Sequence, residues 1–252
     1  MIDKTKALVE NVFNRLRPGL IHLIIGASGL GKTSLVCCQI PSYLFYTLMK
    51  QGDLKENDRF VIVNCDGSLF TERLKQICEL HNVDYDLYRK YVIIKDVGDY
   101  REQHDFITKY LQALTSKYGY RIRYLCIDPL NHHLRMEFAK ADEKYRLNIV
   151  GRLSPQLESQ MNEIHMLTRT HETITMITLL PKKQYLDEMP STWQRGYFGP
   201  LEIAHLSDYV IWLRPVSHTR DQVVAEVLKN RLGKAGSHYM LRLSEVGLEV
   251  IT

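Results

Sequence analysis

The stretch Gly26-Ala27-Ser28-Gly29-Leu30-Gly31-Lys32-Thr33 decides the fold predicted for this chain. It fits the phosphate-binding pattern G-x-x-x-x-G-K-[ST] at every fixed position. The apolar run at 20–25 predicts a buried strand before it, and residues 33–50 have the length and apolar content of a helix. A strand, a glycine-rich turn and a helix are the context that this motif requires.

Such a turn is suited to binding phosphate. Glycines let the backbone curl so that several N–H groups point at one anion, and the helix N-terminus adds the positive end of its dipole. We expect Lys32 to reach the β- and γ-phosphates and the hydroxyl of Thr33 to bind Mg²⁺. The predicted residues of this ATP and Mg²⁺ site are Gly26, Ala27, Ser28, Gly29, Leu30, Gly31, Lys32, Thr33 and Ser34. The alternative is a glycine-rich turn that arose by chance.

The composition is that of an ordinary globular protein. The 252 residues are 45% hydrophobic and 25% charged, enough for a sizeable core. A net charge of +4 permits an anionic partner without requiring one. The five cysteines form no C-x-x-C pair, so we expect reduced thiols in the core. With no signal peptide and no bilayer-spanning run, we expect a protein without membrane partners, cytoplasmic and nucleoid-associated, or nuclear in a eukaryote.

The pattern of apolar runs predicts one α/β domain over residues 1–252, with a short helix and turn at 1–19. Further strands are predicted at 60–65, 91–95, 122–128, 173–180, 209–213, 223–229, 238–243 and 248–251, and helices within 4–16, 69–81, 106–114 and 147–170. Alternating strands and helices imply a mostly parallel sheet, and the closing strands imply antiparallel additions at one edge. Residues 129–146 and 181–200 are predicted to be irregular, and Pro155 predicts a helix break or start.

Two acidic residues follow predicted strands. Enzymes with this phosphate motif need a carboxylate at a strand end to hold the Mg²⁺ shell, and Asp128 is the candidate, acting through water. Asp128 could instead cap a helix or start a turn. Hydrolysis also needs a group that positions the attacking water, and Asp66 at the end of the strand 60–65 can supply it. Asp66-Gly67 could equally be a simple turn.

The segment 66–74, D-G-S-L-F-T-E-R-L, resembles the E-G-T-F-R-P-E-R-L segment of the RecA superfamily, within it the archaeal and eukaryotic RadA-type recombinases and their core-only paralogues. The resemblance implies a RecA-like P-loop core in which Asp66 takes the place of a catalytic glutamate. Because aspartate is one methylene shorter, we expect slow turnover. The resemblance also places Arg73 against the adenine ring, whereas a salt-bridging surface arginine is the alternative.

Two further segments resemble elements that act between subunits. G-P-L-E-I-A-H-L-S at 199–207 is similar to the recombinase segment G-G-N-I-I-A-H-A-S, which makes His205 a candidate γ-phosphate sensor. K-N-R-L-G at 229–233 is similar to K-N-R-F-G of bacterial RadA/Sms proteins and to K-x-R of DnaB-type helicases. The resemblance implies that Lys229 and Arg231 stabilise the transition state in a neighbouring subunit. A basic hairpin turn is the alternative.

Two features of full recombinases are not expected. Only 25 residues stand before Gly26, too few for an N-terminal DNA-binding domain, and no convincing F-x-x-A polymerisation segment is present. These features favour a paralogue that assists a main recombinase or another repair protein. A homo-oligomer, as a ring or short filament, is compatible with the trans-acting residues.

Segments 129–152 and 181–200 combine cations, which fix phosphates, with aromatic rings such as that of Tyr197, which stack on unpaired bases. We therefore expect single-stranded DNA as a partner. The candidate DNA-binding residues are Arg135, Lys144, Arg146, Lys182, Lys183, Trp193 and Arg195. Two solvated flexible loops are the alternative.

Together these features predict a DNA-stimulated P-loop ATPase that acts in homologous recombination and repair. Three other hypotheses stay open: a KaiC-like signalling ATPase with a protein partner, a ring helicase-type motor, and a nucleotide-binding module without catalysis.

Overall fold

The computed structural model describes residues 2–186, 192–216, 219, 221–245 and 247–251. In these residues a single sheet has nine strands in the order β3-β2-β4-β5-β1-β6-β7-β8-β9. They are β1 (Ile21–Gly26), β2 (Asp58–Asn64), β3 (Val92–Asp96), β4 (Arg121–Asp128), β5 (Ile174–Leu179), β6 (Tyr209–Pro215), β7 (Gln222–Asn230), β8 (His238–Ser244) and β9 (Gly247–Val250). Strands β1 to β6 are parallel and β7 to β9 are antiparallel, which confirms the predicted architecture.

Helices cover both faces of this sheet. They are α1 (Ile2–Asn11), α2 (Ile40–Gln51), α3 (Thr71–Leu80), α4 (Tyr85–Arg89), α5 (Tyr100–Asp105), α6 (Leu111–Ser116), α7 (His132–Lys140), α8 (Arg146–Thr170) and α9 (Glu202–Leu206). Two π-helical segments, Ser34–Gln39 and Phe106–Tyr110, lead directly into α2 and α6. Short 3₁₀ turns lie at Glu143–Tyr145, Lys183–Tyr185 and Trp193–Arg195.

The side chains of β1 show how the core is divided. Ile21, Leu23 and Ile25 pack into the core that holds the buried face of α8, while Ile24 packs into the core that holds α2 and α3. Successive side chains of a strand point to opposite faces of the sheet. A strand that is buried on both faces reads as a continuous apolar run, which is why β1 could be recognised in the sequence.

Two predictions on secondary structure were wrong. The segment predicted to be irregular contains α7, of which only His133 and Leu134 are buried, so the sequence carries no amphipathic period there. Helix α8 runs through Pro155 without a break. Proline has no backbone N–H, so one helical hydrogen bond is lost. The carbonyl left without a partner belongs to the exposed Gly151, where water can bind it.

Register brings the ends of the parallel strands to one edge of the sheet. Asn64 of β2 pairs with Asp128 of β4, and Thr178 of β5 pairs with Ile24 of β1. The turn after β1, Asp66 after β2 and Asp128 at the end of β4 therefore lie on the same side. Among the described residues no helix has the length and apolar character that crossing a membrane requires.

Candidate nucleotide-binding site

The turn between β1 and the following helix forms the floor of the candidate site. Gly29 and Gly31 have φ values of +84° and +78°, a conformation that glycine adopts without strain. A Cβ on Gly31 would lie 2.6 Å from Cδ1 of Leu243, so the β8–β9 hairpin packs closely against this turn. The helix begins at Lys32. The predicted strand, turn and helix are thus present around the phosphate motif.

Thr33 and Asp128 meet at this floor. The hydroxyl of Thr33 donates to Oδ2 of Asp128 at 2.6 Å, and the hydroxyl of Thr178 donates to Oδ1. Because the single proton of Thr33 is used for Asp128, the 3.1 Å contact between Thr33 Oγ1 and Ser68 Oγ has Ser68 as its donor. Burial raises the pKa of Asp128, and the two threonine hydroxyls and the charge of Lys32 oppose that shift.

Lys32 is almost completely enclosed, with 6% of its surface exposed. Its Nζ donates to the carbonyl oxygen of Ala27 at 2.7 Å. Burial lowers the pKa of Lys32 to about 8, against the opposing effect of the Asp128 and Asp66 carboxylates. The charge of Arg135 adds to the lowering. Lys32 therefore keeps its proton at neutral pH and supplies a desolvated positive charge.

A cleft of about 410 Å³ opens above these residues. It is lined by Ser28, Gly29, Gly31, Lys32, Thr33, Ser34, Asp66, Ser68, Arg73, Asp128, Pro129, Leu180, Leu243 and Ser244. Asp66 is exposed at its rim, and its Oδ1 accepts from the backbone N–H of Ser68 at 3.0 Å. Asp66 therefore forms a turn with the residues that follow it and also lies beside the phosphate motif.

Arg73 closes one wall of the cleft. Its Nε lies 3.5 Å from Oγ of Ser34, and its Nη2 donates to the carbonyl of Ser244 at 3.4 Å. It forms no ion pair within the described part of the chain. The guanidinium thus joins the P-loop helix to the β8–β9 hairpin instead of pairing with a surface acid.

The donor set of the cleft fits a nucleoside triphosphate with Mg²⁺. Positive-φ glycines, a buried lysine, a hydroxyl and a buried carboxylate are the groups that such a ligand needs. Gly29, Gly31 and Lys32 would hold the phosphates, and Thr33 with Asp128 would hold the ion. Bound Mg²⁺ would neutralise part of the phosphate charge.

Lys229, Arg231 and His205 lie at the other end of the parallel strands, near the amino ends of β1 and β6. Nζ of Lys229 donates to the carbonyl oxygens of Ala204 at 3.1 Å and His205 at 3.0 Å. Burial lowers the pKa of Lys229. Arg231 donates to Oδ1 of Asp208 at 2.9 Å. The resemblance grouped these residues by function, and the structure brings them together in space.

Register shows how far this group is from the P-loop of its own chain. Asn230 pairs with Tyr209, and Tyr209 pairs with His22 at the start of β1. The P-loop follows the end of β1, and a six-residue strand spans about 20 Å. The cations at 229 and 231 therefore lie too far from the candidate phosphate site of their own chain to reach it.

The two candidate DNA-binding segments touch each other. The rings of Phe138 and Phe198 are 4.9 Å apart in an edge-to-face arrangement, and the guanidinium of Arg146 lies 5.4 Å from the centre of the Phe138 ring. Lys144 is exposed and lies 4.7 Å from the ring centre of Tyr145. Segments distant in sequence thus form one surface.

The remaining DNA candidates differ in exposure. Lys183 and Arg195 are exposed, and Lys182 is half-buried. Trp193 is half-buried and packs against the core beside α8, and the ring of Tyr197 is buried, so Tyr197 offers no stacking face. Arg135 is half-buried on α7. Residues 187–191 of the second segment lie outside the described residues.

Sequence reasoning missed three polar residues of this region. Ser68 donates to Thr33, Thr178 donates to Asp128, and Asn131 bonds to Leu180. Ser68 and Asn131 each stand within three residues of a predicted acid. That proximity was the only signal, because sheet order decides which strand ends meet.

Comparison with known proteins gives a match at the level of structure. No family model and no curated protein sequence matches the chain. The crystal structure of the RadB recombinase superposes with a TM-score of 0.70 over 96% of both chains, with 16% identical residues. Identity at this level shows the fold alone. The chain therefore has the RecA-like fold of the RadB recombinase.

Proposed function

We propose that this protein is an ATP-binding, RecA-like recombinase paralogue that acts on DNA in homologous recombination and repair. The observation that carries the proposal is the 2.6 Å bond from Thr33 to the buried Asp128, directly below a glycine turn and beside the buried Lys32. The full-length likeness to a protein named as a recombinase supports the recombination role. The likeness in fold is to a recombinase, so a signalling ATPase and a helicase-type motor are the less supported alternatives.

Hydrolysis of ATP is part of the proposal. Asp66 stands at the rim of the cleft with one carboxylate oxygen engaged by the N–H of Ser68, which leaves the other free to orient water. A short aspartate arm is consistent with slow turnover. His205, Lys229 and Arg231 complete the site from a neighbouring subunit of a homo-oligomer, because they lie at the other end of their own parallel strands.

Single-stranded DNA is the proposed macromolecular partner. The rings of Phe138 and Phe198 join the two candidate segments, and the guanidinium of Arg146 lies over the Phe138 ring. Lys144 lies on the first segment, and Lys182, Lys183, Trp193 and Arg195 lie on the second. Cations next to a partly exposed aromatic ring suit a phosphate backbone with unpaired bases.

Titration calorimetry with Mg·ATP tests the nucleotide site. Lys32→Ala should weaken binding by about 100-fold, since it removes a desolvated charge from the phosphate position. Lys50→Ala removes an exposed cation from the end of α2 and should leave the affinity unchanged. The proposal fails if the unmodified protein has no measurable affinity for Mg·ATP.

A further inference from the structure

Asn131 is a buried amide whose hydrogen-bonding groups are all engaged between separate parts of the fold. Its side chain has no exposed surface. Oδ1 accepts from the N–H of Leu180 at 3.0 Å, and Nδ2 donates to the carbonyls of Leu180 at 2.9 Å and Phe198 at 3.0 Å. It stands just before α7, where it could have capped the helix, yet it makes no capping bond.

Asn131 holds Leu180, which directly precedes the second candidate DNA-binding segment 181–200, and Phe198, which lies near the end of that segment. Leu180 directly follows β5, and Phe198 precedes α9. Between them, the N–H of Lys182 donates to the carbonyl of Gly196 at 2.7 Å, so the base of the segment is closed like a hairpin. The amide therefore fixes both stems of this segment at one point.

The same amide is three residues from the acid of the nucleotide site. Thr178 donates its hydroxyl to Asp128, and its carbonyl accepts from the N–H of Leu130 at 3.0 Å. Leu180 is two residues further along and lines the nucleotide cleft. A continuous set of bonds thus runs from Thr33 through Asp128 and β5 to Asn131 and on to the stem at Phe198.

We propose that Asn131 is the positioning residue that couples the nucleotide cleft to the two described stems of this segment, residues 180–186 and 192–198. The inference rests on the proposed nucleotide binding and adds the residue through which binding changes the candidate DNA surface. Asn131 contacts no phosphate. It determines whether the stems at Leu180 and Phe198 follow the strand end that carries Asp128.

Amide chemistry makes the role specific. An aspartate at 131 keeps an acceptor for the N–H of Leu180 but loses both donors and turns a carboxylate oxygen toward two carbonyls. An alanine loses all three bonds. Both variants should release the stem at Phe198 while the turn 26–33 keeps its structure.

Hydrogen exchange with and without Mg²⁺ and a non-hydrolysable ATP analogue tests the inference. In the unmodified protein the analogue should slow exchange about tenfold both at amides 27–34 and at amides 192–198. In Asn131→Ala and Asn131→Asp, amides 27–34 should keep this protection, and amides 192–198 should change less than about twofold. Gln160→Met is the matched control, because Gln160 is also a fully buried amide but bonds to Gln103 instead of the segment.

Each result decides the inference. Protection of 192–198 that persists in both variants overturns it, and so does the absence of any response at 192–198 in the unmodified protein. In either case protection at 27–34 leaves the proposed nucleotide site standing. No protection at 27–34 in the unmodified protein instead counts against the proposed function itself. Loss of the response in Gln160→Met would show that general loosening explains the effect, which also overturns the inference.

Discussion

The side-chain amide of Gln39 pairs with the backbone of Leu248 as a neighbouring strand would. Nε2 of Gln39 donates to the carbonyl of Leu248 at 2.9 Å, and the N–H of Leu248 donates to Oε1 at 3.0 Å. Gln39 ends the π-helical segment that follows the P-loop, and Leu248 belongs to the last strand. The final hairpin is therefore bound to the helix that begins at the candidate phosphate site.

Gly247→Ala should destabilise the protein through this pairing. The new Cβ would lie 2.4 Å from Oε1 of Gln39, and the residue has a φ of +108°. We expect a loss of about 3 kcal/mol in the free energy of unfolding, measured by urea titration. Gly119→Ala is the control, with a φ of +65° and no atom within 4 Å of the new Cβ. It should cost only about 1 kcal/mol, and equal losses would contradict the prediction.

Stability should fall as the pH drops from 6.5 to 4. Burial lowers the pKa of His22 and of His81 to about 4. Between pH 4 and 6.5 the unfolded chain binds more protons at these positions than the folded one, so acid favours unfolding. The two histidines should contribute a slope of about 2.4 kcal/mol per pH unit near pH 5, and His81→Gln should remove half of this contribution. Urea midpoints across the pH range measure it, and an unchanged slope in the variant would refute the assignment.

Asp66→Asn should separate binding from turnover. The isosteric amide keeps the volume of the side chain but removes the base, so ATP hydrolysis should fall at least about 100-fold. Affinity for Mg·ATP should stay within about twofold, because Lys32 and the glycine turn are unaffected. Asp86→Asn, an exposed acid on α4, is the control for charge. Normal turnover in Asp66→Asn would remove Asp66 from the reaction.

Arg231→Ala should abolish assembly-dependent hydrolysis with little effect on stability. Asp208 keeps its bonds to Arg169 at 2.6 Å and to the N–H of Ile21 at 3.0 Å, and 63% of the Arg231 side chain is exposed. Unfolding free energy should change by less than about 1 kcal/mol. Turnover per subunit at concentrations that form oligomers should fall about 1,000-fold. Lys234→Ala, an exposed cation of the same turn, should retain activity. Full activity in Arg231→Ala would exclude a trans role.

The double substitution Lys183→Ala with Arg195→Ala should reduce the salt dependence of single-stranded DNA binding. Each lost phosphate contact lowers the slope of log K against log salt by about 0.7, so the pair should lower it by about 1.4. Fluorescence anisotropy with a labelled oligonucleotide in a salt series measures this slope. Lys117→Ala, an exposed cation before β4, is the control. An unchanged slope in the double variant would place the DNA elsewhere.

Features that depend on a short stretch of sequence could be predicted. The P-loop, the strand that ends at Asp128 and the edge strands after Tyr209 all follow from local patterns. The meeting of Thr33 with Asp128 also followed from the motif. Helix α7 was missed because it buries so little apolar surface that no period of 3.6 residues appears.

Contacts that depend on sheet order could not be predicted. Thr178 is 50 residues from Asp128, and Asn131 is 49 residues from Leu180. These pairs meet only because β5 lies between β4 and β1. The exposure of single side chains could not be predicted either. The sequence context of Tyr197 predicts a stacking residue, but its ring is buried in the core.

The opposite placement of the P-loop and of Arg231 has a consequence for stoichiometry. If Arg231 of each subunit completes the nucleotide site of the next subunit, an open row leaves the P-loop of one terminal subunit without an arginine. A row of n copies then contains n − 1 competent centres, whereas a closed circle contains n. Specific activity in a row would therefore climb with its length, and in a circle it would be independent of size.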